Sequence, residues 1–316
     1  MTKRTHYDKF IKDIKAGNPR QWYSKLKRIT SHDQHISNEI NVEEISHLSD
    51  QEQADYIADI FASISLEYEK IKNEDIIIPS YDKKSIPQFT PQGVLPYLQN
   101  IKINKSNVKG DIPARIIRDI APYICYPYAD LLNSMIIHGK YPTIYKMEIQ
   151  TPILKVYPPT KTSELRNISG LLNLDKVTEK IIGEMITSDM EKNMDPSQFG
   201  NQKSTSIQHY LVKMIHKILT ELEGSKFAVV ASLIDWKEAF PRQCPKLGVE
   251  AFINMGVRPS LIPMLINFFQ DRKMQVKWHG KFSEIKELNG SGPQGSTIGL
   301  LEYLAQSNNN ADIVGQ

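Results

Sequence analysis

The run KFAVVASLID, residues 226–235, is almost wholly apolar, rich in β-branched side chains, and ends on a carboxylate. That composition predicts a central strand buried on both faces, with Asp235 at its end. A carboxylate in such a place is costly unless a cation, a metal ion or a cluster of donors meets it. Capping of the turn that follows is the other role open to it. Phe240 stands five residues on, where a turn can lay its ring over whatever Asp235 binds. Lys237 and Glu238 between them read as solvated turn residues. Gln294 lies 59 residues after Asp235, inside GSGPQGSTIG (290–299). A planar amide between two flexible positions can read a sugar or base edge with donor and acceptor together. The loop lacks the Gly-Lys-Ser/Thr of a phosphate-cradling loop, and GSGPQG (290–295), though it has GxGxxG spacing, is not read as the dinucleotide-binding type. A tight turn or a linker would look the same.

The elements that must position these residues are mostly legible. Ser49-Asp50-Gln51-Glu52 is a capping box, followed by Ala54, Ile57, Phe61, Ile64, Tyr68 and Ile71 at helical spacing, which predicts a helix to about residue 72. An irregular stretch follows, and then Thr90-Pro91 opens a helix with Val94, Leu95, Leu98 and Ile101 as its apolar stripe. Helical material over 112–138 restarts at Pro122 and stops at Gly139. TPILKVY (151–157) reads as a strand, PPTKTSELRNISG (158–170) as a loop, and LLNLDKVTEKIIGEMI (171–186) as an amphipathic helix. A further helix covers roughly 204–222, and others begin at Pro245 and Pro259. MQVKWHGKFSEIKEL (274–288) predicts a hairpin turning near His279-Gly280, with a helix starting at or soon after Pro293.

Composition sets broad bounds. With 316 residues, 40% hydrophobic and 24% charged, the chain can build a sizeable core. No apolar run approaches a membrane span, and the N-terminus lacks the apolar stretch of a secretory signal. The reading is therefore an intracellular protein, nuclear or cytoplasmic, with no membrane partner. Cys125 and Cys244 are far apart and show no metal-binding spacing, as expected in a reducing compartment without structural zinc. Charge is uneven. Residues 1–30 hold nine Lys/Arg against Asp8 and Asp13, a net +7, so the other 286 residues carry −4. With Trp22 and Tyr23 interleaved, that arm suits either a nucleic-acid backbone or a merely solvated terminus.

SLIDWKEAF and GSGPQGSTIG together resemble the reverse transcriptases of non-LTR (LINE-type) retrotransposons. In that family a catalytic Asp ends a palm strand, an aromatic follows five residues later, and a G-x-P-Q-G-S loop comes after a hairpin. The likeness continues upstream in order. NKSNVKGDIPARII (104–117) resembles the lysine- and glycine-containing motif ahead of "DGIP". TPILKVYPPTKTSELRNISGLLNLDKVTEKII (151–182) resembles the fingers motif in which a strand Lys and a loop Arg precede "PIS" and an "sKvlEkii" helix. SQFGNQKSTSIQH (197–209) resembles the template-side motif. Five collinear motifs cover roughly residues 48–306. Pro241 stands where many relatives have Asp, and Asn167 where many have Pro.

The resemblance implies an α+β, right-hand polymerase-like fold: a basic arm and linker helix (1–88), a fingers-like region (89–225) and a partial palm (226–316). It implies an RNA template, a DNA primer and deoxynucleoside triphosphates as partners, with Mg²⁺ or Mn²⁺ as cofactor. Asp235 would be the catalytic carboxylate and metal ligand. Lys155 and Arg166 would hold the triphosphate, Phe240 would exclude a ribose 2′-hydroxyl, and Gln294 with Gly295 would contact nucleotide and template. The family's second carboxylate block, an aromatic-x-Asp-Asp hairpin, and its thumb have no counterpart before Gln316; Asp312 has neither a paired Asp nor an apolar strand around it. The expectation is a truncated, catalytically incomplete copy, or a non-catalytic nucleic-acid-binding remnant.

Overall fold

Strict alternation organises the central strand, β3 (Arg272–Trp278): Arg272, Met274, Val276 and Trp278 point inward and the residues between them outward or to a rim. The computed structural model describes residues 40–104, 107–202, 204–224, 228–233, 235, 239–290 and 292–308. Two units divide the chain, 1–42 and 43–316, and the elements below all belong to the second. The basic arm at 1–30, with Trp22 and Tyr23, lies outside the described residues.

The fold is mixed α and β around one small sheet. β1 (Met147–Leu154) runs parallel to β3, and β2 (Leu165–Gly170) pairs antiparallel with the other edge of β1. β4 (Lys281–Phe282) and β5 (Lys286–Leu288) both pair antiparallel with β3, giving the order β2-β1-β3-β4 with β5 also on β3. His279 and Gly280, both at positive φ (43° and 80°), make the tight turn between β3 and β4 where the sequence places it.

Helix α1 (Asp50–Ser65) carries the expected capping box and packs on β3, β4 and β5. Trp278 donates its indole N–H to Gln53 at 2.8 Å, tying strand to helix. α1 stops at Ser65 instead of reaching 72; beyond it Tyr68 donates its hydroxyl to the Arg242 carbonyl at 2.7 Å. α2 (Pro91–Gln99), α3 (Ala114–Asp119) and α4 (Ala121–His138) follow as the sequence predicts, with Gly139 in left-handed conformation ending α4. α5 (Asn173–Met190), α7 (Pro245–Asn254), α8 (Ile262–Phe269) and α9 (Thr297–Ser307) complete one continuous apolar core with α4. No helix among the described residues is long and apolar enough to cross a membrane.

Two further readings need correction. LRNISG, placed in a loop by its polar composition, is strand β2, registered on β1 from Ile149↔Gly170 to Leu154↔Leu165. Pairing with β1 overrides the weak strand propensity of Asn, Ser and Gly. Conversely, the described part of the apolar run, 228–233 and 235, is not a strand and is exposed, with Val230 at 90% and Leu233 at 85%. A buried strand needs ladder partners and a covering layer. None of the described residues supplies either, and the helix before it, α6 (Ile207–Glu223), buries no residue.

Candidate active site

Antiparallel pairing of β1 with β2 brings the two cations to one place. Arg166 is opposite Ile153, and the chain leaves β1 at Lys155, whose N–H still bonds the Glu164 carbonyl at 2.8 Å. The Lys155 ammonium donates to the Ser163 carbonyl at 3.0 Å. Both side chains are exposed, and among the described residues neither has a carboxylate partner. They stand at a cavity of about 500 Å³ that Phe61, Asp235, Phe240 and Gln294 also line. Residues from four separate stretches therefore converge on one open space. Asp235 is exposed, and it is the cavity's only carboxylate among the described residues. Phe240 is half-buried, its ring 5.4 Å from that of Tyr303 and tilted by 34°. Lys237 and Glu238 lie outside the described residues.

Gln294 is half-buried in a loop anchored at both ends. Its carbonyl accepts the Ser169 N–H from β2 at 3.1 Å, and Ser296 N–H closes a turn on the Pro293 carbonyl at 2.9 Å. Gly295 takes a φ of +115°, which side chains rarely adopt. Gly292 lies so close to Gly299 that a Cβ on Gly292 would collide with the Gly299 backbone. Ser296 then caps α9, its Oγ accepting from Gly299 N–H at 3.0 Å. The hydroxyl donates in turn to Glu179 Oε2 at 2.7 Å, and Thr297 N–H adds a second bond to the same oxygen at 2.6 Å. Burial pushes the Glu179 carboxyl up, while the Ser296 bond and nearby Arg272 pull the other way.

Beneath the cavity is a polar floor that the sequence did not disclose. β1 turns Glu148 and Gln150 inward and leaves Ile153 exposed, the reverse of ordinary strand burial. Fully buried Arg272 explains this. Its Nε and Nη2 both donate to Glu148 Oε1 at 3.2 Å, and its Nη1 reaches the Phe268 carbonyl at 3.3 Å. Ser169 Oγ donates to Glu148 Oε2 at 2.7 Å, Gln150 reaches that oxygen at 3.3 Å, and Asn167 donates to Gln150 at 3.2 Å. A small pocket of about 20 Å³ joins this floor to Phe240 and Gln294. Removing either member of a buried ion pair strands the other charge, so loss of Glu148 or Arg272 alone would destabilise this floor.

The donor set at the cavity is short for a metal cluster. No group of three or more His, Cys, Asp or Glu gathers among the described residues. Asp235 offers hard oxygen to one divalent cation, and phosphate oxygens of a ligand would have to complete its shell.

No protein-family model matches the chain. It is 27% identical over 184 residues to the probable RNA-directed DNA polymerase from transposon X-element of Drosophila melanogaster. That match takes in 57% of this chain but spans only 20% of the relative's length. The similarity supports a relationship to that polymerase at the level of the family.

Proposed function

We propose that this chain is the fingers and part of the palm of a non-LTR retrotransposon reverse transcriptase, an RNA-directed DNA polymerase domain. The observation that carries the reading is the convergence of Lys155, Arg166, Asp235, Phe240 and Gln294 on one cavity. Two cations that lack carboxylate partners among the described residues suit a triphosphate, whose oxygens they can meet with charge-assisted hydrogen bonds. A half-buried aromatic ring beside Asp235 suits the sugar face of a deoxynucleotide. Gln294 and the exposed backbone of Gly295 suit contact with a nucleotide paired to an RNA template, with a DNA primer alongside. Asp235 would hold one Mg²⁺ or Mn²⁺ together with the triphosphate, and the ion would neutralise phosphate charge there. In this reading residues 1–88 are an arm and linker helix, 89–225 the fingers and 226–316 the palm portion.

A two-ion polymerase site uses more carboxylate than this cavity's described lining provides, so the chain binds substrates without extending a primer. That shortage also favours the second reading, a non-catalytic nucleic-acid binder that retains the fingers and the +7 arm. Titration of Mg·dTTP against wild type, Lys155→Ala and Arg166→Ala tests the site. Each substitution should weaken binding about tenfold or more. Affinities unchanged by both would overturn the assignment. Primer extension on an RNA template, abolished by Asp235→Asn, would overturn the binding-only conclusion.

A further inference from the structure

We infer that Glu179 is a positioning residue for the glutamine loop: its carboxyl group locks Ser296 and Thr297 and so fixes Gln294 and Gly295 against the cavity. The inference rests on the nucleotide-binding reading above for its functional consequence, and on hydrogen-bond geometry for its structural one.

Glu179 lies in the middle of α5, which also buries Asn173, Asp175 and Thr178 beside its apolar residues, and is 1% exposed. A carboxyl group so buried is costly unless something holds it. One oxygen, Oε2, accepts both the Ser296 hydroxyl (2.7 Å) and the Thr297 N–H (2.6 Å). The other, Oε1, has no partner among the described residues. Both bonds therefore go to the first residues after the loop. They also place an acceptor at the N-terminus of α9, where backbone N–H groups are unpaired and the helix dipole favours negative charge.

The loop between Gly292 and Thr297 then has two fixed sides. On one, Ser169 N–H holds the Gln294 carbonyl at 3.1 Å. On the other, Glu179 holds Ser296 and Thr297, two and three residues further on. Gly295, with φ of +115°, is the swivel between them. Without the Glu179 anchor, rotation about that glycine would let the Gln294 side chain leave the cavity wall. The lock needs an acceptor at a definite reach more than it needs charge, since a single oxygen makes both bonds.

Substitutions separate reach from charge. Glu179→Gln keeps an acceptor oxygen at the same reach and loses the charge. Glu179→Asp keeps the charge and draws the carboxylate back by about one carbon–carbon bond, ~1.5 Å. Glu179→Ala removes both. The measurement is amide hydrogen exchange of the full chain over residues 294–300, alongside binding of Mg·dTTP. Glu179→Ala and Glu179→Asp should speed exchange at Thr297–Gly299 and weaken dTTP by about tenfold. Glu179→Gln should remain within about threefold of wild type in both, a rescue that a space-filling role would not require. Exchange at 297–299 unchanged in Glu179→Asp, or Glu179→Gln as loose as Glu179→Asp, would overturn the lock. Loosened exchange with unaltered dTTP affinity would overturn the positioning role. Should Glu179→Ala fail to fold, the Asp and Gln variants still decide. If wild type binds no dTTP, the nucleotide reading falls and the positioning role with it, while exchange still judges the lock.

Discussion

Helices α5 and α6 are near-equal in length, 18 and 17 residues, and both are amphipathic, yet α5 buries ten residues and α6 none. α5 lies against α2 and α9, with Ile182 and Ile186 fully enclosed. α6 starts as cleanly, with Ser206 accepting from His209 N–H, but Ile207, Val212, Ile215 and Leu219 remain more than half exposed. The apolar run that follows it, 228–233, is exposed as well. An apolar stripe declares that a helix has a face to cover; it does not name the cover. Each isoleucine or leucine left in water forgoes about 1.5–3 kcal/mol of burial, and a lone helix of this length is marginal by itself.

The largest expected effect of this contrast is in backbone opening. Amide exchange should find the α5 core protected near the global stability and α6 open by local fraying, a difference of about a thousandfold or more. Equal protection would mean that α6 is covered in solution, and the comparison would fail. Side-chain truncation sharpens the same point. Ile182→Ala should lower stability by about 2–5 kcal/mol in denaturant unfolding, through lost transfer energy and a cavity. Leu219→Ala, on exposed α6, should stay within about 0.5 kcal/mol. A large loss at Leu219 would reveal a partner for that face.

Acidity gives a smaller contrast, confined to the packed region. Glu302 of α9 is fully buried, and burial raises its pKa from 4.5 to about 8, opposed by Arg272. The folded protein thus holds a proton that the unfolded chain releases. Its contribution to stability is complete below about pH 4.5 and is lost as pH rises through about 8, on the order of a few kcal/mol in all. Thermal unfolding of Glu302→Gln should lack this decline and gain on wild type at pH 8–9 relative to pH 5. An identical pH profile in the two proteins would contradict it.

Local signals carried much of the fold. The Ser49 capping box, the Thr90-Pro91 start, Gly139 and the His279-Gly280 turn each act through neighbours in sequence, and each stands where those residues put it. What escaped depends on distant partners. β2 is a strand because β1 lies beside it, and 228–233 is not one among these residues because nothing does. The inverted burial of β1 follows from Arg272, 124 residues from Glu148, and no spacing rule marks an arginine that will be sealed in a core. The residues that the resemblance singled out, Lys155, Arg166, Asp235, Phe240 and Gln294, line one cavity. Of the polar residues packed beside them, Ser169 and Glu179 fall within the PIS-like and sKvlEkii-like motifs with no role assigned, while Glu148 and Arg272 fall in none, because buried polar groups read in sequence as surface ones. Glu179 shares one further mark with Asp175: each is a charge on the buried side of an amphipathic helix.

The central claim is that this cavity holds a deoxynucleotide, and photo-crosslinking tests it most directly. The full chain would be irradiated with Mg²⁺ and 8-azido-dATP, then digested and mapped by mass spectrometry. The account predicts labelling at residues 239–241 or 292–296, suppressed by excess dATP and by Arg166→Ala. Labelling confined to α6 or to residues 1–39, with the cavity unmarked, would contradict it.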